Sequence, residues 1–385
     1  MLAMMSINIV FALSYNMLLG QTGLLSFGHA VYYGLAGFFA IHAMNYVVRN
    51  QLGVPLPLIP FVGGAAGLFF AALFGWVSTK RAGTVFSMIS LGLGELVAAS
   101  SLILRGFFGG EEGVTANRTK LPEFLGAKFG PQIEVYYLIA AWTFLCIALM
   151  YAITRTPFGR MSNAVRENPE RVEFVGYSTQ RVRFIAFCLA GFFAGVAGAL
   201  AAINFEIMNA QSIGAAQSGS VLLMTYAGGA GYFFGPIIGA IIITWLQITL
   251  SDVTGAWMLY FGLLFILVVM FSPGGIAGWI MMHAPVARAG RLGVLAPSYA
   301  LAAVPLALAV GGAIFIIEVA HHQLVKAASD GPAMHFLGLP LASNSLLTWA
   351  AAVAIFAMGV IGLRLVWPKI TEAWGQALLG PARGA

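Results

Sequence analysis

Polar side chains that could bind a solute or take part in catalysis are concentrated near the start of the chain. They are Asn16, Gln21, Ser26 and His29, and glycines lie between them. A serine nucleophile needs a base and a third group that orients the base. Ser26 and His29 are only three residues apart and have no evident carboxylate partner. The pair therefore indicates hydrogen bonding, either to a solute or to neighbouring helices, and does not predict an enzyme.

One carboxylate, Glu95, lies in the middle of an otherwise apolar run from Gly83 to Leu104. Exposed as a charge at the centre of a lipid bilayer, it would cost about 2.5–3.5 kcal/mol, so it must face a partner, water or a neutralising proton. Glu95 is therefore a candidate for a transport path. The alternative is a structural carboxyl that bonds a serine or threonine of a neighbouring helix.

Composition shows which elements must position these side chains. Of the 385 residues, 60% are hydrophobic and only 8% are charged, whereas soluble domains carry about 25% charged residues. A helix that crosses the hydrocarbon layer needs about 20 mostly apolar residues, so we predict an all-α polytopic membrane protein with about ten transmembrane helices. The predicted spans are residues 3–19, 28–48, 57–78, 83–104, 135–153, 184–203, 218–250, 257–271, 298–319 and 345–366.

The run from 218 to 250 is too long for one ordinary span, and several glycines and Pro236 interrupt it. This pattern predicts a broken helix or a re-entrant, glycine-rich hairpin. Glycines also interrupt the chain between residues 20 and 28. The similar glycine pattern at the two breaks would be consistent with an internal repeat of two halves. The later run lacks the Lys-Ser/Thr ending of a phosphate loop, which argues against nucleotide binding in this chain. Cys146 and Cys188 lie in apolar runs and no metal cluster is visible, so we expect no cofactor or metal here.

Orientation follows from lysine and arginine in the short loops. The loop 154–183 carries six arginines and is placed in the cytoplasm. Alternation of the spans puts the other basic clusters on the same side, namely Lys80 and Arg81, Arg288 and Arg291, and Arg364, Lys369 and Arg383. Basic residues in such short clusters between apolar runs indicate membrane topology and do not form one solvated basic face. The net charge of +6 therefore does not indicate nucleic-acid binding. The N-terminus then falls outside, as a start within a longer reading frame would allow, and we expect the first span to remain in the mature protein.

The loop 154–183 contains residue types that are typical of the starts and ends of helices. Thr156 and Asn168 are good N-cap residues, each is followed by proline, and Gly176 is placed to end the second helix. We predict two short helices lying against the membrane. Two interpretations stay open for them, an interfacial loop whose arginines only fix topology, or a docking element for a cytoplasmic partner.

Four segments, found in this order, resemble the permeases of branched-chain amino acid ABC transporters. They are residues 16–29 (NMLLGQTGLLSFGH), 156–160 (TPFGR) followed by 166–168 (REN) and Gly176, 227–240 (AGGAGYFFGPIIGA) and 271–275 (FSPGG). The resemblance covers roughly residues 5–280. It implies a permease subunit in a bacterial inner membrane that pairs with a second, related permease, two cytoplasmic ATPases and a periplasmic substrate-binding protein.

The same resemblance assigns roles to the residues above. It implies that residues 155–183 of this loop are the coupling element that contacts the ATPase, and that ATP and Mg²⁺ are bound by the partner ATPases. The coupling residues to test are then Arg160, Arg166, Glu167, Glu170 and Gly176. The candidates for the translocation path are Asn16, Gln21, Ser26, His29 and Glu95.

The chain also departs from the family pattern. Val172 and Glu173 stand where many members have small alanines, which would alter the fit to a particular ATPase. We expect a permease core at residues 1–283, and a C-terminal extension at 284–385 that adds two spans. Substrates handled in the family are branched-chain and other hydrophobic amino acids, urea and short amides. The alternative function is an ion-coupled secondary transporter, which would need paired charges within the membrane, whereas only Glu95 lies at mid-span.

Overall fold

The structure is a computed structural model that describes residues 1–124, 126–272, 274–336 and 338–379. Within these ranges, nine helices are long and apolar enough to cross a membrane. A tenth span results if the helices Trp257–Phe271 and Gly275–Arg288, bent by 43°, are counted as one. The predicted all-α polytopic membrane fold is therefore confirmed. Pro273 of the FSPGG segment and Arg383 of the last basic cluster lie outside the described residues.

The chain divides into two compact units, the first of which consists of Met1–Thr249 and Phe265–Gly278. The first eleven α-helices of the chain lie in it, apart from the end of the last one, and they are α1 (Leu2–Thr22), α2 (Ala30–Arg49), α3 (Ile59–Ser78), α4 (Thr84–Ile103), α5 (Arg105–Phe108), α6 (Gln132–Arg155), α7 (Pro157–Glu167), α8 (Pro169–Phe174), α9 (Thr179–Phe205), α10 (Ala215–Gly228) and α11 (Gly235–Val253). Two short strands, β1 (Val114–Thr115) and β2 (Ile207–Met208), pair in antiparallel fashion.

Helix α9 is the centre of this unit and packs against α1, α2 and α3. Small residues make the close approach possible, because a side chain added at Gly195 would run into the carbonyl group of Gly63 on α3. The helix begins at Thr179, about a turn earlier than the predicted residue 184, and ends at Phe205. It therefore connects the 154–183 loop directly with the opposite end of the bundle.

The predicted break within residues 218–250 is confirmed. Helix α10 has only 14 residues, too few to cross a bilayer, and residues 229–234 separate it from α11. The segment 206–214, which contains β2 and a short 3₁₀ helix (Ala210–Ile213), precedes α10 and lies against α2, where a side chain at Gly34 would meet Ile213. Ser218 of α10 accepts a hydrogen bond from the backbone N–H of Ala30 at 3.1 Å. Within a membrane protein, such irregular backbone is tolerated where it is buried in protein or lines a cavity.

The second unit consists of Leu250–Leu264 and the chain from Trp279 onward. The elements that lie in it wholly or in part, in addition to the end of α11, are α12 (Trp257–Phe271), α13 (Gly275–Arg288), α14 (Leu292–His321), α15 (Ala327–Asp330), β3 (Ala333–Phe336), β4 (Leu339–Ala342) and α16 (Leu346–Leu379). Helices α14 and α16 are the two additional candidate spans, and they pack on each other. The proposed boundary between a core at 1–283 and an extension at 284–385 stays a prediction.

Two features of the second unit differ from the sequence expectation. Helix α13 was not predicted, because its apolar run is short and contains Pro285. Helix α16 continues well past the predicted end at residue 366 and passes through Pro368. Lys369 and Glu372 end the apolar run there, but both are good helix formers and do not end the helix.

Arg118 holds the segment between β1 and α6 against the end of α9. Its guanidinium donates hydrogen bonds to the carbonyl groups of Phe129 at 2.9 Å and Ile203 at 3.0 Å, and it lies 4.0 Å from the Glu206 carboxylate. Glu206 also accepts a hydrogen bond from the Arg118 backbone N–H at 2.8 Å. Because Arg118 is buried, these bonds replace water around its charge.

We expect Arg118→Met to lower the free energy of unfolding by about 3–5 kcal/mol, because removing one member of a buried charged network leaves the others unpaired. Unfolding of the detergent-solubilised chain by added dodecyl sulfate measures this loss. The matched control is Lys128→Met, since Lys128 is exposed and its ion pair with Glu123, at 2.9 Å, raises the pKa of the lysine without burying it. Equal effects of the two substitutions would contradict the structural role of Arg118.

Candidate functional site

The loop between α6 and α9 folds as two short helices, as predicted. Thr156 caps α7 by accepting a hydrogen bond from the N–H of Gly159, and Asn168 caps α8 by accepting one from Arg171. Gly176 follows α8 with a φ of +90°, and its N–H donates to the carbonyl oxygen of Glu173 at 2.9 Å. A positive φ strains any residue with a side chain, which explains the glycine at this turn.

A small apolar core holds the two helices of this loop together. Val165 of α7, Val172 of α8 and Val182 of α9 are buried against one another. Glu173 accepts a hydrogen bond from the hydroxyl of Thr179, the first residue of α9, at 2.7 Å. Val172 and Glu173, the two residues that depart from the family pattern, therefore make contacts within the loop. Val172 packs in the apolar core, and Glu173 is hydrogen-bonded to the start of α9.

Arg166 joins the loop to the first membrane span. Its guanidinium donates a hydrogen bond to the backbone carbonyl of Gly20 near the end of α1. It also pairs with the Glu167 carboxylate at 3.8 Å, although Glu167 is largely exposed. Arg166 thus links the loop to the end of α1 through a charged hydrogen bond, which is stronger than one between neutral groups.

The outer surface of the loop carries the remaining coupling candidates and an apolar group that sequence reasoning missed. Arg160 and Glu170 are exposed, and within the described part of the chain their side chains have no partner. Phe174 and Val175 are 90% and 74% exposed, and Tyr177 is exposed beside them. Adjacent exposed apolar residues mark a surface that contacts another protein or the membrane. The signal in the sequence was this apolar run at the end of an otherwise polar helix.

Ser26 and His29, predicted to lie on the translocation path, come together at the corner between α1 and α2. The Nε2 atom of His29 lies 3.0 Å from the hydroxyl of Ser14, and the Tyr15 hydroxyl donates to the Ser26 carbonyl at 2.9 Å. The rings of Phe11 and Tyr15 pack on the imidazole. Both Ser26 and His29 are fully buried, so this cluster does not line an open path in this conformation.

The other candidates for the translocation path are Asn16, Gln21 and Glu95, and they do not all lie at that corner. Asn16 and Gln21 are buried on α1, and a side chain at Gly20 would meet both Asn16 and the carbonyl of Ala230. Ser26 Oγ, His29 Nδ1 and Asn16 Oδ1 lack hydrogen-bond partners among the described residues. Glu95 is exposed on α4 and has no bonded partner within the described chain. Glu95 is thus exposed whereas the cluster is buried, and none of the serines and threonines that the structure describes is bonded to this carboxylate.

Comparison with known proteins places these elements in a family. The family described as "Branched-chain amino acid transport system / permease component" matches residues 1–272, which is most of the chain. The chain belongs to this permease family. It is therefore a multi-pass membrane subunit of an ABC importer, not an enzyme, and it works with ABC partner subunits.

The permease is similar to several characterised relatives. It is 28% identical to the high-affinity branched-chain amino acid transport system permease protein LivM of Salmonella typhimurium, over 71% of this chain and 68% of the relative. LivM of Escherichia coli K12 is also 28% identical, over 70% of this chain and 67% of the relative. The fructose import permease protein FrcC of Rhizobium meliloti is 26% identical, over 53% of this chain and 59% of the relative. No solved structure matches the permease significantly.

Proposed function

We propose that this permease imports branched-chain amino acids, or small solutes of similar chemistry such as urea and short amides, across a bacterial inner membrane. Its partners are a second, related permease, two cytoplasmic ATPases and a periplasmic substrate-binding protein. ATP and Mg²⁺ are held by the ATPases, and this chain needs no cofactor. The observation that carries the proposal is the capped α7–α8 loop, which exposes an apolar surface and is tied to α1 by Arg166.

Coupling follows from this geometry. When the ATPases close on ATP, they displace the α7–α8 loop, and the valine core lets the loop move as one body. Arg166 carries the displacement to α1, and the Glu173–Thr179 hydrogen bond carries it to α9. Because α9 has 27 residues at about 1.5 Å each, it transmits motion over about 40 Å, to the far end of the bundle.

The relatives favour amino acids among the possible solutes. Both LivM proteins are named as branched-chain amino acid permeases and align with about 70% of this chain, whereas the fructose permease aligns with 53%. An autoinducer 2 import permease, LsrC of Photorhabdus laumondii, aligns with 54%. Relatives are thus named for a sugar and for an autoinducer as well as for amino acids, and uptake of labelled leucine distinguishes among these solutes.

Omission of single subunits from the reconstituted transporter tests this proposal. Proteoliposomes that contain both permeases and the ATPases, supplied with binding protein outside and ATP inside, are expected to accumulate labelled L-leucine. Leaving out this permease, its partner permease, the ATPases or the binding protein is expected to reduce uptake to the level of empty liposomes. Uptake by this chain alone, driven by an ion gradient without ATP, would overturn the proposal in favour of a secondary transporter.

A further inference from the structure

A cavity of about 170 Å³ lies in the first unit, at the end of α9 that is opposite to the α7–α8 loop. The elements that form it are α1, α2, α9, the segment 206–214, α10 and α11. Each of its polar lining residues has a neutral side chain that can form hydrogen bonds. These residues are Asn8, Tyr33, Ser212, Gln217, Ser220 and Gln247. No lysine, arginine, aspartate or glutamate lines it. The cavity is thus polar but uncharged.

Several of these polar groups are left without a partner. Tyr33 is only 6% exposed, and its hydroxyl makes no hydrogen bond within the described chain, although its ring is fixed against Phe11 at 4.6 Å between centroids. Asn8 donates to the Thr244 hydroxyl at 2.9 Å through Nδ2, and Oδ1 is not used. Buried polar groups are nearly always hydrogen-bonded in proteins. The Tyr33 hydroxyl opens onto the cavity, where water or a solute can supply its hydrogen bond.

The start of α10 adds an attraction for negative charge. Gly214 is its N-cap and no side chain caps the first turn, from which Gln217 reaches the cavity. Unpaired N–H groups at a helix N-terminus carry partial positive charge and favour a carboxylate. The lining also contains apolar side chains, among them Ile7 and Phe205.

The volume limits the size of the occupant. One water needs about 10–15 Å³ of such cavity space, so a cavity of about 170 Å³ has room for several waters or for one small solute. The combination of an uncharged polar lining, a helix N-terminus and apolar side chains suits a small zwitterion with an aliphatic side chain.

We propose that this cavity is a transient binding site for the imported solute within this single permease chain, in the half of the bundle away from the α7–α8 loop. The solute class is a small aliphatic amino acid, with its carboxylate toward the first turn of α10, its polar groups toward Tyr33 and Gln247, and its side chain against Ile7 and Phe205. This inference rests on the proposed function and adds a binding site for the solute on its way through the permease.

Protection of an introduced thiol tests the site in the complete transporter. In a background with Cys146→Ala and Cys188→Ala, the Ser220→Cys thiol is expected to react with a small methanethiosulfonate reagent at least about fivefold more slowly when L-leucine is present, since a bound solute blocks access. The matched control is Asn50→Cys, an exposed position beyond the end of α2, whose reaction rate is expected to be unaffected by leucine.

A second variant removes a single oxygen and keeps the fold. Tyr33→Phe is expected to lower the rate of L-leucine uptake at limiting leucine by about fivefold, the equivalent of one hydrogen bond. Assembly and ATP hydrolysis are expected to stay at the wild-type level. Tyr46→Phe on the same helix is the control, since Tyr46 is exposed and does not line the cavity.

The outcomes separate this inference from the proposed function. Leucine import by the unmodified transporter together with protection of the Ser220→Cys thiol supports both. Import without protection, and with normal uptake by Tyr33→Phe, overturns the cavity as a solute site and leaves the importer in place. Protection without import supports the site and overturns the leucine importer, and the absence of both overturns both.

Discussion

Gly176→Pro is expected to abolish ATP-driven L-leucine uptake by the reconstituted transporter while the subunits remain assembled. Proline fixes φ near −65°, whereas Gly176 has a φ of +90°, and its N–H donates to Glu173 at 2.9 Å. A conflict of about 3 kcal/mol lowers the population of the native turn roughly hundredfold. The loop then no longer holds the shape that transmits ATPase closure to α1 and α9. Initial uptake rates measure the loss, and co-purification of the ATPases shows that assembly is kept.

Gly290→Pro is the matched control for this substitution. Gly290 also has a positive φ, of +69°, and its N–H donates to the residue three positions earlier, Ala287, at 3.0 Å. It lies outside the residues that match the permease family. Uptake is therefore expected to persist in this variant. If Gly176→Pro retained wild-type uptake, the α7–α8 loop would not be the coupling element.

Phe174→Asp is expected to weaken binding of the ATPases by at least about tenfold. Phe174 is 90% exposed on the loop, beside Val175, and contributes nothing to the buried core of this chain. Burying a full aromatic side chain at an interface contributes more than the 1.4 kcal/mol that corresponds to a tenfold change in affinity, and a buried unpaired carboxylate opposes docking further. Retention of the ATPases on immobilised permease pair, measured over a range of ATPase concentrations, gives the change.

Leu52→Asp is the control for a new charge at an exposed apolar position. Leu52 follows α2, and the α7–α8 loop is joined to α6 and α9 at the opposite end of the bundle. ATPase binding is expected to be unchanged by this substitution. Unchanged binding by Phe174→Asp, with the chain folded and inserted, would remove the apolar surface from the proposed interface.

Features set by neighbours in the sequence were predicted correctly. The N-caps Thr156 and Asn168 and the terminating Gly176 act within one helical turn, so their residue types were sufficient to place α7 and α8. The break between α10 and α11 was likewise visible, because glycines and a proline interrupt an apolar run in a way that a helix of spanning length does not tolerate.

Features that depend on distant contacts were not predictable in the same way. The hydrogen bond from Arg166 to Gly20 joins residues 146 positions apart, and nothing in either segment specifies the other. The cavity near Tyr33 is formed by six separate elements, and its tyrosine and glutamines look like ordinary polar residues in each of them. Sequence reasoning therefore favoured Ser26 and His29, which the fold buries completely.

Glu95 shows the limit of reasoning from one residue. Its cost in a bilayer was evident from the sequence, but the face of α4 on which it lies depends on how α4 packs in the bundle. The structure places it on the exposed side of that helix. We propose that Glu95 faces the second permease, or water between the two permeases. It therefore stays a candidate for the translocation path.

Photo-crosslinking from the α7–α8 loop tests the coupling of this permease to an ATPase most directly. A photoreactive amino acid at Val175, which is 74% exposed, is expected to form a covalent adduct with the ATPase subunit on illumination of the assembled transporter. The same amino acid at Leu52 is expected to form none. An adduct from Leu52 but not from Val175, or none from either position in a transporter that imports leucine with ATP, would contradict coupling through this loop.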